Sequence, residues 1–141
     1  EAASFVDDVI VKPEYMARFL PKVNEILDRH KNKLIYTIAG HPGNGNFHII
    51  PLVDLKDPDI PGVIADCMNK IYKLVLEYGG SITAEHNDGL IRGPYLEMMY
   101  GKKIYKLFEE TKKIFDPSGI FNPRKKIGVD KKYSFSLIKK Q

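Results

Sequence analysis

The chain has 141 residues, of which 43% are apolar and 28% are charged, and its formal net charge is +4. This composition is typical of a globular protein, and the length suffices for one domain with a hydrophobic core. No apolar run approaches the ~18 residues that a transmembrane helix needs, so no transmembrane segment is predicted. The single cysteine, Cys67, excludes an internal disulfide and favours a reducing compartment, so we expect a cytoplasmic location.

Apolar periodicity predicts four strands and two helices in the first part of the chain. The strands are predicted at residues 5–11, 33–41, 46–53 and 81–85. The first helix starts near Pro13 and reaches about His30, with a kink or a break at Pro21. The second starts after residues 57–62 and ends at Gly79. This order predicts an α+β fold with a ferredoxin-like βαββαβ antiparallel sheet and both helices on one face.

The remaining residues are predicted to be helical and then unpatterned. A short helix at 94–100 ends at Gly101, and a longer one follows at 102–115. The side chains of the longer helix that we expect to face inward are Ile104, Leu107, Phe108, Thr111, Ile114 and Phe115. The stretch 128–141 is predicted to be a solvated basic tail. Nucleic acid is not an expected partner, because no nucleic-acid-binding motif accompanies the basic residues.

Two histidines flank the turn between the second and third predicted strands. If the turn occupies residues 42–45, His41 pairs with Asn46, and His48 lies two residues along on the same face. Diagonal neighbours of this kind are about 7–8 Å apart, so two imidazoles can reach one ion. An odd-numbered turn would separate the two rings, and from the spacing alone two surface histidines are the simpler interpretation. Both faces of the second strand are largely apolar, which predicts that both are covered.

A carboxylate at the end of the fourth predicted strand strengthens the metal hypothesis. Glu85 is followed directly by His86 and then by a turn. Two imidazoles and one carboxylate are a common three-ligand set that leaves a coordination position open. In a straight strand Glu85 and His86 would point to opposite faces, so we do not expect both to bind one ion in the same way.

Three stretches resemble the sequence motifs of one family. Residues 40–48, Gly-His-Pro-Gly-Asn-Gly-Asn-Phe-His, are similar to a signature that ends Gly-Asp-Gly-Asn-Leu-His. Residues 84–89 resemble a Gly-Glu-His-Gly box, and residues 115–123 resemble a closing Phe-Asp-Pro-x-Gly-Ile-Leu-Asn-Pro-Gly-Lys motif. All three belong to the C-terminal domain of FAD-linked oxidases, a group with the vanillyl-alcohol oxidase fold. It includes glycolate oxidase FAD subunits, D-lactate dehydrogenases and D-2-hydroxyglutarate dehydrogenases.

The resemblance implies a flavoprotein that transfers a hydride from a 2-hydroxy acid to FAD. His41, His48 and Glu85 would bind a divalent ion, zinc or manganese, that holds the carboxylate and hydroxyl of the substrate. His86 would take the hydroxyl proton, and Asn122 would lie near the isoalloxazine ring. In the family, FAD is bound mostly by an N-terminal domain, which this sequence lacks. Residues 1–127 are therefore interpreted as the C-terminal portion of such an enzyme, inactive alone.

Four departures from the family motifs either remove a charge or replace a glycine. Asn44 stands where the family has Asp, which removes a charge that could support the ligands. Ala84, Asn87 and Arg124 stand where the family has Gly. Asn tolerates a left-handed backbone, so the change at Asn87 is expected to be harmless. The three predicted ligands are intact.

Two other classes of function remain open at this stage. A small metal-dependent hydrolase could use the same ligands and a bound water, but a helical His-Glu-x-x-His motif and a clear additional base are absent from the sequence. In a non-catalytic ferredoxin-like binding module, the glycine-rich histidine loop would have only a structural role. For any of these functions, a truncated domain that has lost its neighbouring strands would have an open sheet edge, which favours a homodimer.

Overall fold

The computed structural model describes residues 2–138, which divide into two compact units, residues 2–86 and residues 87–138. The elements of the first unit are β1 (Asp8–Ile10), α1 (Met16–Asp28), β2 (Leu34–His41), β3 (Asn46–Val53) and α2 (Ile60–Glu77). Those of the second are α3 (Leu96–Phe115) and α4 (Lys131–Ser136). Short 3₁₀ turns at Pro13–Tyr15, Pro42–Asn44 and Gly93–Tyr95 precede α1, β3 and α3. None of the helices found among residues 2–138 qualifies as a membrane-spanning segment.

The first unit contains an antiparallel sheet with helix α1 packed on one face. The strand order is β1-β3-β2, with both pairings antiparallel. The odd-numbered side chains of β3 are buried, and Phe47 contacts Phe19 of α1 with ring centroids 5.3 Å apart. In α2, Tyr72 donates a hydrogen bond to the backbone oxygen of Phe5. The α+β class is therefore confirmed.

Cys67 belongs to the core of the first unit. Its side chain on α2 is fully buried, and burial raises the pKa of the thiol to about 12. The thiol is thus protonated and unreactive near neutral pH.

The predicted fourth strand at 81–85 is not formed. Ser81 makes an isolated antiparallel bridge with Ile10, and the chain bends immediately afterwards. The ladder stops because the backbone N–H groups of Ala84, Glu85 and His86 donate to the carboxylate of Asp8 instead of to a neighbouring strand. Within the described residues the sheet therefore has three strands and two isolated bridges, Ile10 with Ser81 and Ala2 with Leu52, and the predicted ferredoxin-like sheet of four strands is not formed.

The prediction that both faces of β2 are covered is wrong. Ile35 is 72% exposed, and Leu52, its partner across the ladder, is 49% exposed. The apolar pattern of β2 and β3 indicates that this face suits burial, but both side chains are exposed among the described residues. The same face carries both predicted histidine ligands.

Helices form where the sequence predicts them, but a predicted break and a predicted inward face are wrong. Pro21 lies inside one continuous α1, so two short helices are not formed. In α3 the backbone is non-helical at Gly101, where the sequence predicts a boundary. The inward-facing stripe of α3 is wrong, because Ile114 is 74% exposed and Phe115 is 81% exposed. Periodicity identifies an apolar face but not the surface that covers it.

Polar contacts stabilise both ends of the second unit. The buried carboxylate of Asp88 lies 3.1 Å from Nζ of Lys126, whose backbone N–H donates to the oxygen of Gly89. Asp130 caps α4, and its carboxylate accepts a hydrogen bond from the N–H of Tyr133. The stretch after Gly128 therefore contains a helix within the predicted tail, whose residues 139–141 lie outside the described part of the chain.

Candidate metal centre

The turn between β2 and β3 places His41 and His48 on one face of the sheet. His41 pairs with Asn46, and His48 pairs with Ala39, so the predicted register of the hairpin is confirmed. The turn consists of the 3₁₀ segment Pro42–Asn44 followed by Gly45, whose φ of 74° lies in the left-handed region. The two imidazole rings have centroids 6.0 Å apart and are mutually perpendicular.

Glu85 lies against both histidines of this hairpin. Its Oε1 is 2.8 Å from Nε2 of His48 and 3.4 Å from Nε2 of His41. One ligand atom from each of the three residues lies within 4.8 Å of the other two. The three predicted ligands thus come together around one point. The exposure of their side chains falls from 61% for His41 to 45% for Glu85 and 13% for His48, so the cluster has one open side.

His86 lies at the same place, contrary to the expectation that it points away from Glu85. Its Nε2 is 3.3 Å from Oε1 of Glu85, and its ring stacks on His48 with centroids 4.4 Å apart. The expectation assumed a straight strand, whereas the chain bends at residues 84–86. Because this bend replaces the alternation of a strand, neighbouring side chains can reach the same side.

Asp7 holds the other side of the His86 ring. Its Oδ2 lies 2.7 Å from Nδ1 of His86. This hydrogen bond, helped by the negative charges of Asp7, Asp8 and Glu85, raises the pKa of His86 despite partial desolvation. When the His86 ring is neutral, the hydrogen bond to Asp7 favours a proton on Nδ1. The lone pair of Nε2 is then directed towards Glu85.

Asp8 is fully buried beneath the cluster. Its carboxylate accepts hydrogen bonds from the backbone at residues 84–86 and from the side chain of Asn46. Burial alone would raise the pKa of Asp8, but these hydrogen bonds outweigh burial and hold the pKa below its usual value near 3.8. Sequence reasoning missed both Asp7 and Asp8. The available signal was two adjacent carboxylates inside an otherwise apolar predicted strand, since buried Asp is rare without a specific partner.

Asp7, His48 and His86 form a second group whose ligand atoms also lie within 4.8 Å of one another. The rings of His48 and His86 are nearly parallel, with an interplanar angle of 7°. Imidazole lone pairs lie in the ring plane, and those of two stacked rings do not meet at one ion. Perpendicular rings such as those of His41 and His48 suit a shared ion better, so the first group is the better candidate.

Asn122, the predicted flavin-contacting residue, lies in the second unit. It is exposed, and its φ is 45°. Its backbone oxygen accepts a hydrogen bond from the N–H of Lys125. Its role near the isoalloxazine ring remains a prediction.

Two residues that replace a glycine of the family motifs have a glycine-like backbone conformation. Asn87 has a φ of 65° and Arg124 a φ of 56°, and both stand where the family motifs have Gly. Such values favour glycine, and Asn tolerates them better than Arg does. These two positions therefore adopt a backbone conformation that favours glycine, although other residues occupy them.

Comparison with known proteins agrees with the resemblance. The profile of the family "FAD linked oxidases, C-terminal domain" matches residues 1–126. A D-2-hydroxyglutarate dehydrogenase of Pantoea ananatis is 31% identical over 121 residues, which are 86% of this chain and 12% of that protein. The glycolate oxidase subunit GlcD of Bacillus subtilis is 29% identical over 90% of this chain and 27% of that protein. A D-lactate dehydrogenase of Anaerostipes hadrus is 32% identical over 84% of this chain and 25% of that protein.

The chain thus spans from about an eighth to about a quarter of the length of these relatives. The family match covers nearly all of the chain, including both halves of the histidine and glutamate cluster. The chain belongs to the family of C-terminal domains of FAD-linked oxidases.

Proposed function

We propose that this chain is the substrate and metal portion of an FAD-dependent dehydrogenase or oxidase acting on 2-hydroxy acids of the lactate, glycolate or 2-hydroxyglutarate type. Within it, His41, His48 and Glu85 hold a divalent ion, zinc or manganese. The observation that carries the proposal is the approach of Glu85 Oε1 to Nε2 of both histidines, at 2.8 and 3.4 Å. The names of the relatives supply the substrate class.

The donor atoms of the cluster suit such an ion. Two imidazole nitrogens and one carboxylate oxygen form a set used by zinc and by other first-row divalent ions, with a position left for substrate. His48 Nδ1 is buried without a hydrogen-bond partner among the described residues, and it lies 3.8 Å from Oδ1 of both Asp7 and Asp8. A proton on Nδ1 facing these carboxylates leaves Nε2 as the metal-binding atom, as is usual for a ligating histidine.

His86 is proposed as the base of the reaction. The bound ion supplies Lewis acidity and the flavin supplies a hydride acceptor. Asp7 orients the ring through Nδ1, and the lone pair on Nε2 accepts the hydroxyl proton of the substrate. Because Nε2 lies 3.3 Å from Glu85, the accepting atom adjoins the proposed ligand set.

The remaining parts of the proposal concern partners and location. FAD is proposed to bind mostly to another domain of the same protein, with Asn122 near the isoalloxazine ring. β2 has β3 as its one strand neighbour among the described residues, so its outer edge is proposed as the contact of a homodimer. A reducing, cytoplasmic location accords with the buried and unpaired Cys67.

Two variants of the full-length flavoprotein test these roles. His41→Ala removes a ligand, so metal content and turnover should fall together. His86→Ala should keep the metal and lower kcat by about 10²–10⁴-fold, the usual contribution of a general base. His30→Ala is the control, because the ring of His30 pairs with Asp66 and not with the cluster.

Metal content by elemental analysis and turnover of D-2-hydroxyglutarate, D-lactate and glycolate are the measurements. A fully active His86→Ala variant would show that the base is another residue. Equal metal content in wild type and His41→Ala would show that the ion is bound elsewhere.

A further inference from the structure

A single buried carboxylate joins the two halves of the candidate metal centre. Asp8 is 0% exposed and faces the same side of the sheet as its register partner His48. Its Oδ2 accepts three backbone N–H groups, from Ala84 at 2.6 Å, Glu85 at 2.9 Å and His86 at 2.9 Å. The bend that carries Glu85 and His86 is therefore bound to β1 through one oxygen atom.

The other oxygen of Asp8 binds the histidine hairpin. Oδ1 accepts a hydrogen bond of 2.9 Å from Nδ2 of Asn46, which also donates to the backbone oxygen of Val9 at 3.1 Å. Asn46 is 4% exposed and is the register partner of His41. The two oxygens of Asp8 thus connect the bend at 84–86 with the end of the hairpin that carries the histidines.

The free-energy cost of burying the Asp8 carboxylate argues against a role for Asp8 in packing alone. A buried carboxylate loses its hydration, and apolar side chains would fill the same space without that loss. The chain also gives up ladder hydrogen bonds after Ser81 to supply the three N–H groups. Three successive N–H groups on one anion form a nest with charge-assisted hydrogen bonds, which are stronger and geometrically stricter than neutral ones.

We propose that Asp8 is a positioning residue that sets the distance between Glu85 and the two histidines, and thereby the affinity and geometry of the metal centre. The inference rests on the metal binding in the proposed function. Asp8 need not touch the ion, because it fixes the backbone from which Glu85 and His86 extend. Asn46 transmits the same constraint to the hairpin.

The test uses the 141-residue chain, Co²⁺ as a spectroscopic probe of ligand number and geometry, and the variant Asp8→Asn. The substituted amide has one neutral acceptor oxygen where the carboxylate has two anionic ones, so it cannot accept from both the bend and Asn46, and the bend should loosen. We expect Co²⁺ affinity to fall by roughly 10–100-fold, the usual effect of losing a group that orients metal ligands, together with a changed visible spectrum.

Asp66→Asn is the control. It removes one carboxylate charge of the same unit, at a side chain that binds His30 and Lys70 and not the backbone of the bend. Its effect on Co²⁺ affinity should stay below about fivefold, the effect of one weakly coupled charge. Equal losses in the two variants would show that charge, not positioning, matters, and would overturn the proposal.

Hydrogen exchange of the wild-type chain keeps the test decisive if Asp8→Asn does not fold. The amides of Ala84, Glu85 and His86 should exchange slowly although they lie outside the ladder, and exchange at loop rates would overturn the proposal. Asn46→Ala should keep these amides protected while weakening Co²⁺ binding. A wild-type chain that binds no Co²⁺ would overturn the proposed metal site and this inference together. Metal binding unchanged in Asp8→Asn would overturn this inference alone.

Discussion

Gly45, at the end of the histidine turn, allows the closest backbone approach in the first unit. Its φ is 74°, and a Cβ built on it would lie 1.8 Å from the backbone oxygen of Val11. The backbone oxygen of Gly45 also accepts a hydrogen bond of 3.1 Å from the N–H of Val11. Gly45→Ala therefore introduces both a strained dihedral angle and a clash with backbone, which cannot move aside as a flexible side chain can.

The expected cost of Gly45→Ala follows from these two terms. A left-handed conformation costs a residue with a Cβ about 1–2 kcal/mol, and forcing an extra carbon into a packed site costs about 1–3 kcal/mol. The free energy of unfolding should therefore fall by about 2–5 kcal/mol, a large part of the ~5–15 kcal/mol typical of a domain. Because the turn sets the register of His41 and His48, metal affinity should fall as well.

Gly43→Ala is the matched control in the same turn. The φ of Gly43 lies outside the left-handed region, and a Cβ there would meet no atom within 4 Å. Its effect on stability should stay within about 0.5 kcal/mol, as for most surface substitutions. Urea denaturation followed by circular dichroism measures both variants. Equal midpoints for the two alanine variants would refute the argument from backbone approach.

Other substitutions test the core, the open sheet face and a helix end. Ile49→Ala should lower the free energy of unfolding by about 2–5 kcal/mol because the side chain is fully buried, whereas Ile35→Ala should cost less than about 1 kcal/mol. A comparable loss in urea midpoint for both would contradict the assignment of the open face. Asp116 accepts hydrogen bonds from Lys112 and two backbone N–H groups, which lower its pKa against burial. Its stabilisation is complete above the unfolded value near 3.8 and is lost as the pH falls through the lower folded value. The urea midpoint of Asp116→Asn should therefore lie below that of wild type at pH 7 and approach it near the acid limit; a constant gap would be inconsistent with this.

The hairpin could be predicted from sequence because local rules determine it. A turn of four residues between two apolar runs sets the pairing of His41 with Asn46, and the period of two along a strand then sets the face of His48. The boundary at Gly101 was predictable for a similar reason, since the need for a positive φ is a property of one residue.

The bend at residues 84–86 could not be predicted in the same way. Its sequence favours a strand, but a carboxylate distant in sequence, that of Asp8, takes its N–H groups. Tertiary contacts therefore override local propensity there, and Glu85 and His86 reach the same side. The exposed stripe of α3 and the open face at Ile35 have a different cause. An apolar pattern indicates a surface that suits burial without identifying what covers it.

X-ray absorption at the zinc edge of the zinc-loaded chain is the decisive experiment on the metal centre. We expect one ion per chain, with two imidazole nitrogens and one carboxylate oxygen at about 2.0–2.2 Å and one exchangeable ligand. In His48→Ala one imidazole should disappear from the spectrum, whereas His30→Ala should leave it unchanged. A zinc shell without imidazole, or one unaltered by His48→Ala, would contradict the assignment of His41, His48 and Glu85 as the metal centre.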